Sequence, residues 1–336
     1  MDKAGMESHD TNLHNGAQPV AWQNWEVAPS SITCGRVASD LTHMLSSEEI
    51  AIRDLASSKC ARHVGEMQRR RIEKRAKELT KRDGTSTVTI TTESPYYPEI
   101  QNETCILTPE VTTGPYIWPK SQTLRQDMTE DQAGIPLIVD IGVIDINTCE
   151  PMQNVLVDVW HCNATGSYSS FTKRDPNTPF EELLEQLNIT LVPGVELDLH
   201  TDDTTFLRGM WPTNEEGVME MKTIVPGYYV ERAIHVHVQV HQDWVLQSNG
   251  TVLTDTTSST GQFFLGEELS QYLMSLEPYS WHTEIERTTN DVDDIYQEEA
   301  RNGWFPELAV VPMDGEDYAN GVIGYITVGV DATRGV

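Results

Sequence analysis

The sequence predicts a mainly β protein, a β-sandwich preceded by an N-terminal helical extension. Short apolar or alternating runs separated by turn residues recur from about residue 137 to the C-terminus, the pattern of an all-β domain. Helical patterns within that region are few and short. By contrast, 46–82 contains no proline and one glycine, Gly65, and reads as helical throughout.

Residues 1–45 are polar, rich in Ser, Asn, His and Gly, and show no sustained period, so they are expected to be disordered. Ser46-Ser47-Glu48-Glu49 reads as a helix start with a hydroxyl cap and acids in the first turn. The basic segment 46–82 follows, as one bent helix or as two broken near Gly65. Residues 83–104 are Thr- and Ser-rich with Pro95 and Pro98, and read as a linker. The β domain takes up 105–336. Residues 137–146 read as a strand, 147–151 as a turn and 155–160 as the returning strand, giving a β-hairpin or Greek-key edge. Further along, 180–187 reads as a short acidic helix, 262–265 as a strand, 266–276 and 289–301 as surface helices, and 321–331 as the closing strand.

Charge is spread unevenly. Residues 1–82 hold 13 Lys and Arg against 11 Asp and Glu, whereas 83–336 hold 10 against 41, a net of −31. So acidic a body argues against nucleic acid or an anionic membrane as partner. The basic run of Arg69, Arg70, Arg71, Lys74, Arg75, Lys77, Lys81 and Arg82 is expected to be a solvated helical face. Its functional alternatives are a dock onto the acidic body, an anionic-surface patch, or dibasic processing at Lys81-Arg82. Asp202-Asp203 and Asp293-Asp294 are likewise read as solvated charges.

Five cysteines (Cys34, Cys60, Cys105, Cys149 and Cys162) show no CxxC spacing, which disfavours a zinc ribbon or thioredoxin-type centre and leaves pairing open. Sequons at Asn102, Asn163, Asn188 and Asn249 suit a secreted glycoprotein, whereas no apolar stretch follows Met1 as a secretion signal requires. Both an extracellular and a cytoplasmic location are therefore carried forward.

The most specific stretch is 223–241. Its second half alternates apolar and polar residues, so His235 and His237 project from one face of a strand. Pro226-Gly227 marks a turn that delivers Tyr228 and Tyr229 beside that face, and Arg232 lies three residues before the first histidine. After 155–160, Gly166 permits a tight turn presenting Tyr168. Tyr168, Tyr229, His235 and His237 together make a candidate ligand set of two phenols and two imidazoles. A phenol has a reference pKa of about 10, so binding it as phenolate requires a strongly Lewis-acidic ion. Iron(III) fits best; zinc prefers His, Cys or carboxylate, and iron(II) oxygenases use two His and one carboxylate. His161 and His241 read as structural or surface residues, and Trp160 as core.

At these residues the chain resembles the intradiol ring-cleavage dioxygenases, specifically their fungal extracellular-type branch. The matching motifs are Thr113-Gly-Pro-Tyr116, Thr148-Cys-Glu-Pro151, Asp158-Val-Trp-His-Cys-Asn-Ala-Thr-Gly-Ser-Tyr168, Pro226-Gly-Tyr-Tyr-Val-Glu-Arg-Ala-Ile-His-Val-His237, Gly261-Gln-Phe-Phe264 and Gly324-Tyr-Ile-Thr-Val-Gly-Val-Asp331. The resemblance implies a transthyretin-like sandwich and one non-haem Fe(III) per chain. It also implies cleavage by O2 of a catechol-type ring between its hydroxylated carbons, giving a muconate-type dicarboxylate. On this reading Tyr168 and His237 stay on the metal, Tyr229 leaves when catechol binds, and His235 is the fourth ligand. The family's Pro-Gly-x-Tyr pattern selects Tyr229 over Tyr228. Arg232 stabilises charge developing on the ring, Gln262 lies near the site of oxygen attack, and Tyr116 lines the substrate pocket. Val230-Glu231 and Ile117-Trp118 depart from the family's usual residues and bear on the substrate. A homodimer through the N-terminal helical segment is a further expectation. The rival reading is a non-catalytic transthyretin-like sandwich acting as a binding module, which has no need of the complete ligand set.

Overall fold

The computed structural model describes residues 47–82, 111, 114–118, 123–191, 198–248, 252–254, 257–300 and 305–333. The expectations for 1–45 and for the linker 83–104 lie outside the described residues, as do Cys34, Cys105 and the sequons at Asn102 and Asn249.

Two four-stranded sheets face each other. One runs in the order β4 (Val218–Ile224), β1 (Pro136–Asp145), β10 (Val322–Val330), β9 (Ala309–Pro312); the other runs β3 (Arg208–Pro212), β2 (Leu156–Trp160), β5 (His235–His241), β8 (Ser259–Phe264). A small hairpin of β6 (Trp244–Leu246) and β7 (Val252–Thr254) stands apart from both. Period-2 alternation builds the core. Val139, Ile141 and Val143 of β1 and Ile326 and Val328 of β10 meet Val157 and Val159 of β2 and Val236, Val238 and Val240 of β5. The remaining residues of each strand therefore face away from the core, and both outer faces are covered. Every residue of β5 and of β10 is buried.

The β-hairpin expected of 137–146 and 155–160 does not form. β1 pairs with β4 and β10, whereas β2 pairs with β3 and β5 in the other sheet, and the isolated bridge Ile144–Pro151 ties the end of β1 only to the turn that follows it. Local chemistry explains the crossing. The Asp145 carboxylate caps the turn by accepting from the Asn147 amide and the Thr148 hydroxyl, and Cys149 and Asn154 adopt left-handed backbone. Pro151 has no N–H for a second ladder. β1 and β10 run parallel instead, a pairing that joins segments far apart in sequence.

A single helix, α1 (Ser47–Arg82), continues unbroken through Gly65 and covers the outer face of the β4–β1–β10–β9 sheet. Ile72 packs with Ile323 and Tyr325 of β10. Here the expectation of a solvated basic face is corrected. Arg69 and Arg70 are exposed beside Glu73 and Glu66, as expected, but Arg71 is buried and donates to the Asp140 carboxylate (2.7 Å), the Thr327 hydroxyl (2.9 Å) and the Ile326 carbonyl (3.1 Å). Arg75 pairs with Glu220. The β face below presents a carboxylate, a hydroxyl and a carbonyl to one forked guanidinium, which periodicity within α1 alone does not reveal. Gly142 permits the close approach, since a Cβ there would lie 2.9 Å from the Arg71 guanidinium.

Cys60 of α1 is joined to Cys149 by a disulfide across 89 residues, and Cys162 is a buried free thiol. Closing a loop of that length restricts the unfolded chain, so Cys60→Ser is expected to lower stability by about 2–4 kcal/mol. Thermal unfolding of the variant checks this. An unchanged midpoint would mean that Arg71 and its neighbours hold α1 without help.

The shorter helices are α2 (Phe180–Leu187), α3 (Glu267–Met274) and α4 (Asp294–Glu299), near the positions the sequence suggested. None of the helices in the described residues is long and apolar enough to cross a membrane.

Candidate metal centre

The outer face of the β3–β2–β5–β8 sheet carries the candidate site. Odd-numbered residues of β5 face away from the sandwich core, which puts His235 and His237 side by side. On the neighbouring strands, Trp160 is in register with His237 on one side and Gln262 on the other. Trp160 stacks flat on the His237 ring, centroids 4.8 Å apart at 4°.

Two loops roof this face. In the first, Asn163 accepts from Thr165 and Ser167 and shapes the turn that ends at Tyr168. The second carries Tyr228 and Tyr229. They cross at glycines: a Cβ on Gly166 would lie 2.3 Å from the Tyr228 carbonyl oxygen, and one on Gly227 2.4 Å from that of Ala164. Gly166 also has φ +85, open to glycine at little cost.

These loops bring four side-chain atoms together. His235 Nε2 lies 3.1 Å from His237 Nε2, 3.3 Å from the Tyr229 hydroxyl and 3.4 Å from the Tyr168 hydroxyl, and His237 Nε2 lies 3.0 Å from the Tyr168 hydroxyl. All four residues are buried. The His235 Nδ1–H donates to the Ala233 carbonyl (2.7 Å), which leaves its Nε2 as a lone pair aimed at the cluster. Two phenol protons can serve the two imidazole nitrogens while the space is empty, and the same four atoms each offer a lone pair to a cation among them. His237 Nδ1 is buried without a hydrogen-bond partner, so the ring is oriented by the Trp160 stack.

Electrostatics point the same way. Burial pushes both imidazoles well below their ordinary pKa, so they are neutral and ligand-competent at neutral pH. Burial raises the Tyr229 phenol to about 12, with Arg232 opposing, and raises Tyr168 well above its ordinary value, the neighbouring Tyr229 adding to it. Both phenols therefore hold their protons until a strong Lewis acid displaces them, and metal uptake should release protons. Among the described residues no group of three or more His, Cys, Asp or Glu gathers as a metal site; the second half of this one is tyrosine. That donor set fits a hard trivalent ion better than zinc.

The structure separates the two neighbouring tyrosines. Tyr228 turns the other way, into the sandwich core, where its hydroxyl donates to the His282 carbonyl (2.6 Å). Tyr116 stacks on Tyr168 (4.8 Å, 16°) and stands edge-on to Tyr229. Arg232 extends over the cluster, its guanidinium 3.4 Å from the Tyr229 hydroxyl and bonded to the Gln262 side-chain oxygen. The seven residues singled out from the sequence (Tyr116, Tyr168, Tyr229, Arg232, His235, His237 and Gln262) thus line one site. His161 sits apart, bonded to the Cys162 carbonyl and the Thr223 hydroxyl, with burial lowering its pKa to about 4. His241 is buried, so its reading as a surface residue does not hold, whereas a structural role does.

Residues 112–190 match the family model described as "Dioxygenase". An intradiol ring-cleavage dioxygenase from Tetranychus urticae is similar over 68% of this chain and 96% of its own, at 26% identity and TM-score 0.53. A second dioxygenase crystal structure matches over the same shares at 27% identity and TM-score 0.51. No curated protein matches the chain. The chain thus shares its fold with these dioxygenases and carries a dioxygenase-matching segment through the Tyr168 loop.

Around the candidate metal centre the structure adds residues that sequence reasoning does not reach. Arg208 is fully buried; its guanidinium donates to the Ser169 hydroxyl (2.9 Å) and to the carbonyls of Tyr116 (2.7 Å) and Ser169 (3.0 Å), tying two walls of the site together. Burial lowers its pKa to about 10, with Asp158 opposing. Asp293, expected as a solvated charge, is instead wholly buried and bonded to Arg232, which corrects that expectation. Its signal was present in Asn290-Asp-Val-Asp-Asp-Ile-Tyr296, an N-cap pattern, but nothing local says that an N-cap carboxylate also meets an arginine sixty residues away. Glu231 takes left-handed backbone (φ 66) between Tyr229 and Arg232, a turn that residues other than glycine adopt at a cost of about 1–2 kcal/mol.

Proposed function

We propose that this chain is a non-haem iron(III) intradiol dioxygenase. It holds one iron through Tyr168, Tyr229, His235 and His237 and cleaves a catechol-type ring between its two hydroxylated carbons with O2, giving a muconate-type dicarboxylate. The observation that carries the reading is the meeting of two phenol oxygens and two neutral imidazole nitrogens within 3.0–3.4 Å, beside an arginine. Ferric iron supplies the Lewis acidity and the redox partner that let a catechol react with dioxygen.

The chain's own residues do the rest. Tyr229 is the base: its oxygen takes a catechol proton, and Arg232 beside it favours the anionic form of whatever lies there. Arg232 and Gln262 face charge that builds on the ring, and burial strengthens that interaction. Tyr116, braced against Tyr168, is an aromatic wall for a flat substrate. Purified protein reconstituted with iron(III) is expected to be red-brown from tyrosinate charge transfer and to convert catechol to a ring-opened product. A colourless, iron-free preparation would sink the proposal. Tyr229→Phe is expected to shift the visible band and slow turnover by about 10²–10⁴-fold, the usual scale for losing a general base. Tyr228→Phe should leave both unchanged; the reverse outcome would exchange the roles of the two tyrosines.

The fungal extracellular-type assignment and secretion belong to the same proposal. The Cys60–Cys149 disulfide suits an oxidising compartment. Asn188 is exposed just past α2, where a glycan has room, whereas the Asn163 carboxamide is occupied by its own turn. A homodimer, where one forms through the helical segment, is assigned to the α1 flank bearing Arg62, Arg69 and Arg70, the opposite flank being occupied by this chain's own sheet.

A further inference from the structure

We infer that Asp293 is a positioning residue for the reaction, setting Arg232 and the His235 strand in place from outside the metal centre. The inference rests on the proposed iron dioxygenase reading and deepens it.

Asp293 is wholly buried, and both carboxylate oxygens are fully used. Oδ2 accepts from Arg232 Nε (2.8 Å) and from the Ala233 amide (2.8 Å). Oδ1 accepts from the amides of Ile295 and Tyr296 (both 2.9 Å), capping α4. Four donors on one carboxylate leave it little freedom, so its position is that of the α4 terminus. From there two paths lead into the site. Along the first, the bond to Nε fixes the guanidinium at its inner corner, so its outer nitrogens reach the Tyr229 hydroxyl and the Gln262 side-chain oxygen. A planar fork pinned at Nε has one remaining orientation. Along the second, Ala233 is held at its N–H by Asp293 and presents its carbonyl to His235 Nδ1 (2.7 Å), the bond that turns His235 Nε2 toward the cluster.

The neighbouring backbone reinforces the arrangement. The Gln262 amide donates to the buried Glu299 carboxyl, at the other end of the same α4 (2.9 Å), so this short helix reaches the site from both of its ends. Its apolar side is seated by Ile295, which packs with Ala233 and Phe264. An ordinary N-cap needs only the two amide bonds to Oδ1. The second pair of bonds, to a residue beside the metal ligands and to the arginine over them, is what stability of α4 does not require.

The test is a cycle of Asp293→Asn, Arg232→Gln and the double variant, each loaded with iron and measured per iron bound. Asp293→Asn places a carboxamide N–H against Arg232 or against the capping amides, so it cannot serve both. It is expected to keep iron and its visible band while kcat falls by about 10²-fold, the effect of misplacing a group by an ångström. KM should change much less, and the double variant should be no slower than Arg232→Gln alone. Wild-type kcat in Asp293→Asn, or losses that multiply in the double variant, would overturn the inference. Should Asp293→Asn not fold, Asp293→Glu keeps the charge and displaces it by one methylene, and the same readings apply. Metal-free protein gives an answer independent of turnover. The Arg232 Nε–H should give a slowly exchanging signal in the arginine side-chain ¹⁵N spectrum, identified by its loss in Arg232→Gln. Persistence of that signal unshifted in the Asp293 variant would also overturn the inference. If the wild type cleaves no catechol, the functional reading fails, while the spectrum still decides whether Asp293 holds Arg232.

Discussion

His237→Ala is expected to remove iron from the protein, and with it the visible colour and ring cleavage, while leaving the sandwich folded. His237 sits at the middle of β5, between Trp160 and Gln262, with its Nε2 close to both the His235 nitrogen and the Tyr168 oxygen. Removing it takes away one lone pair of four and the surface against which Trp160 stacks. A metal site that loses a direct ligand loses more than one that loses an outer partner, for which 10–100-fold is usual, so activity should fall by more than about 100-fold. Fold should survive, because the side chain lies on the outer face of its sheet and the core face of β5 is Val236, Val238 and Val240. The informative control is His161→Asn, another wholly buried histidine, whose ring nitrogens are used by the Cys162 carbonyl and the Thr223 hydroxyl. That variant should lose stability and keep its iron. Metal analysis and the visible spectrum of the two proteins side by side make the comparison. Full iron content in His237→Ala would show that the cluster is held together by hydrogen bonds rather than built for a metal.

The contrast between these histidines shows what the sequence could convey about the site. Alternation along 234–240 is enough to put His235 and His237 on one face, because strand geometry leaves no choice. Gly166 and Gly227 are likewise legible as turns. What the turns do is not: each glycine exists because the other loop's backbone passes within van der Waals contact, a relation between segments sixty residues apart. Tyr228 and Tyr229 differ only in which way each faces, and alternation permits both. The structure resolves them through the His282 carbonyl, which captures Tyr228. The same limit explains β1 and β2. Each is readable as a strand, but the partner of each is chosen by the whole sandwich, and β10, at the far end of the chain, takes the place beside β1. Asp293 and Arg71 depart from expectation for a shared reason. A charged residue in a polar run looks solvated unless its partner is known, and both partners are distant in sequence.

Arg71 gives the largest effect expected outside the metal centre. Arg71→Leu leaves the Asp140 carboxyl buried under α1 without its cation, and breaking one side of a buried pair costs about 3–5 kcal/mol. The loss should depend on pH. Burial raises the Asp140 pKa above its ordinary value, with Arg71 opposing. A carboxyl whose folded pKa is raised binds its proton more tightly in the folded state. The stability this contributes is complete below the unfolded value of about 3.9 and is lost as pH climbs through the folded value. Without Arg71 the folded value rises further, so the variant's deficit should be greatest at neutral pH and shrink toward pH 4. Arg71→Leu/Asp140→Leu should recover most of the loss, because two apolar side chains replace a pair that is costly to desolvate. Denaturant titrations of the three proteins at several pH values test this. A deficit that does not change with pH, or a double variant as unstable as the single, would assign the effect to packing under α1 instead of to the stranded carboxyl. Iron content and turnover of the folded fraction should stay at the wild-type level, since α1 lies on the outer face of one sheet and the ligand cluster on the outer face of the other.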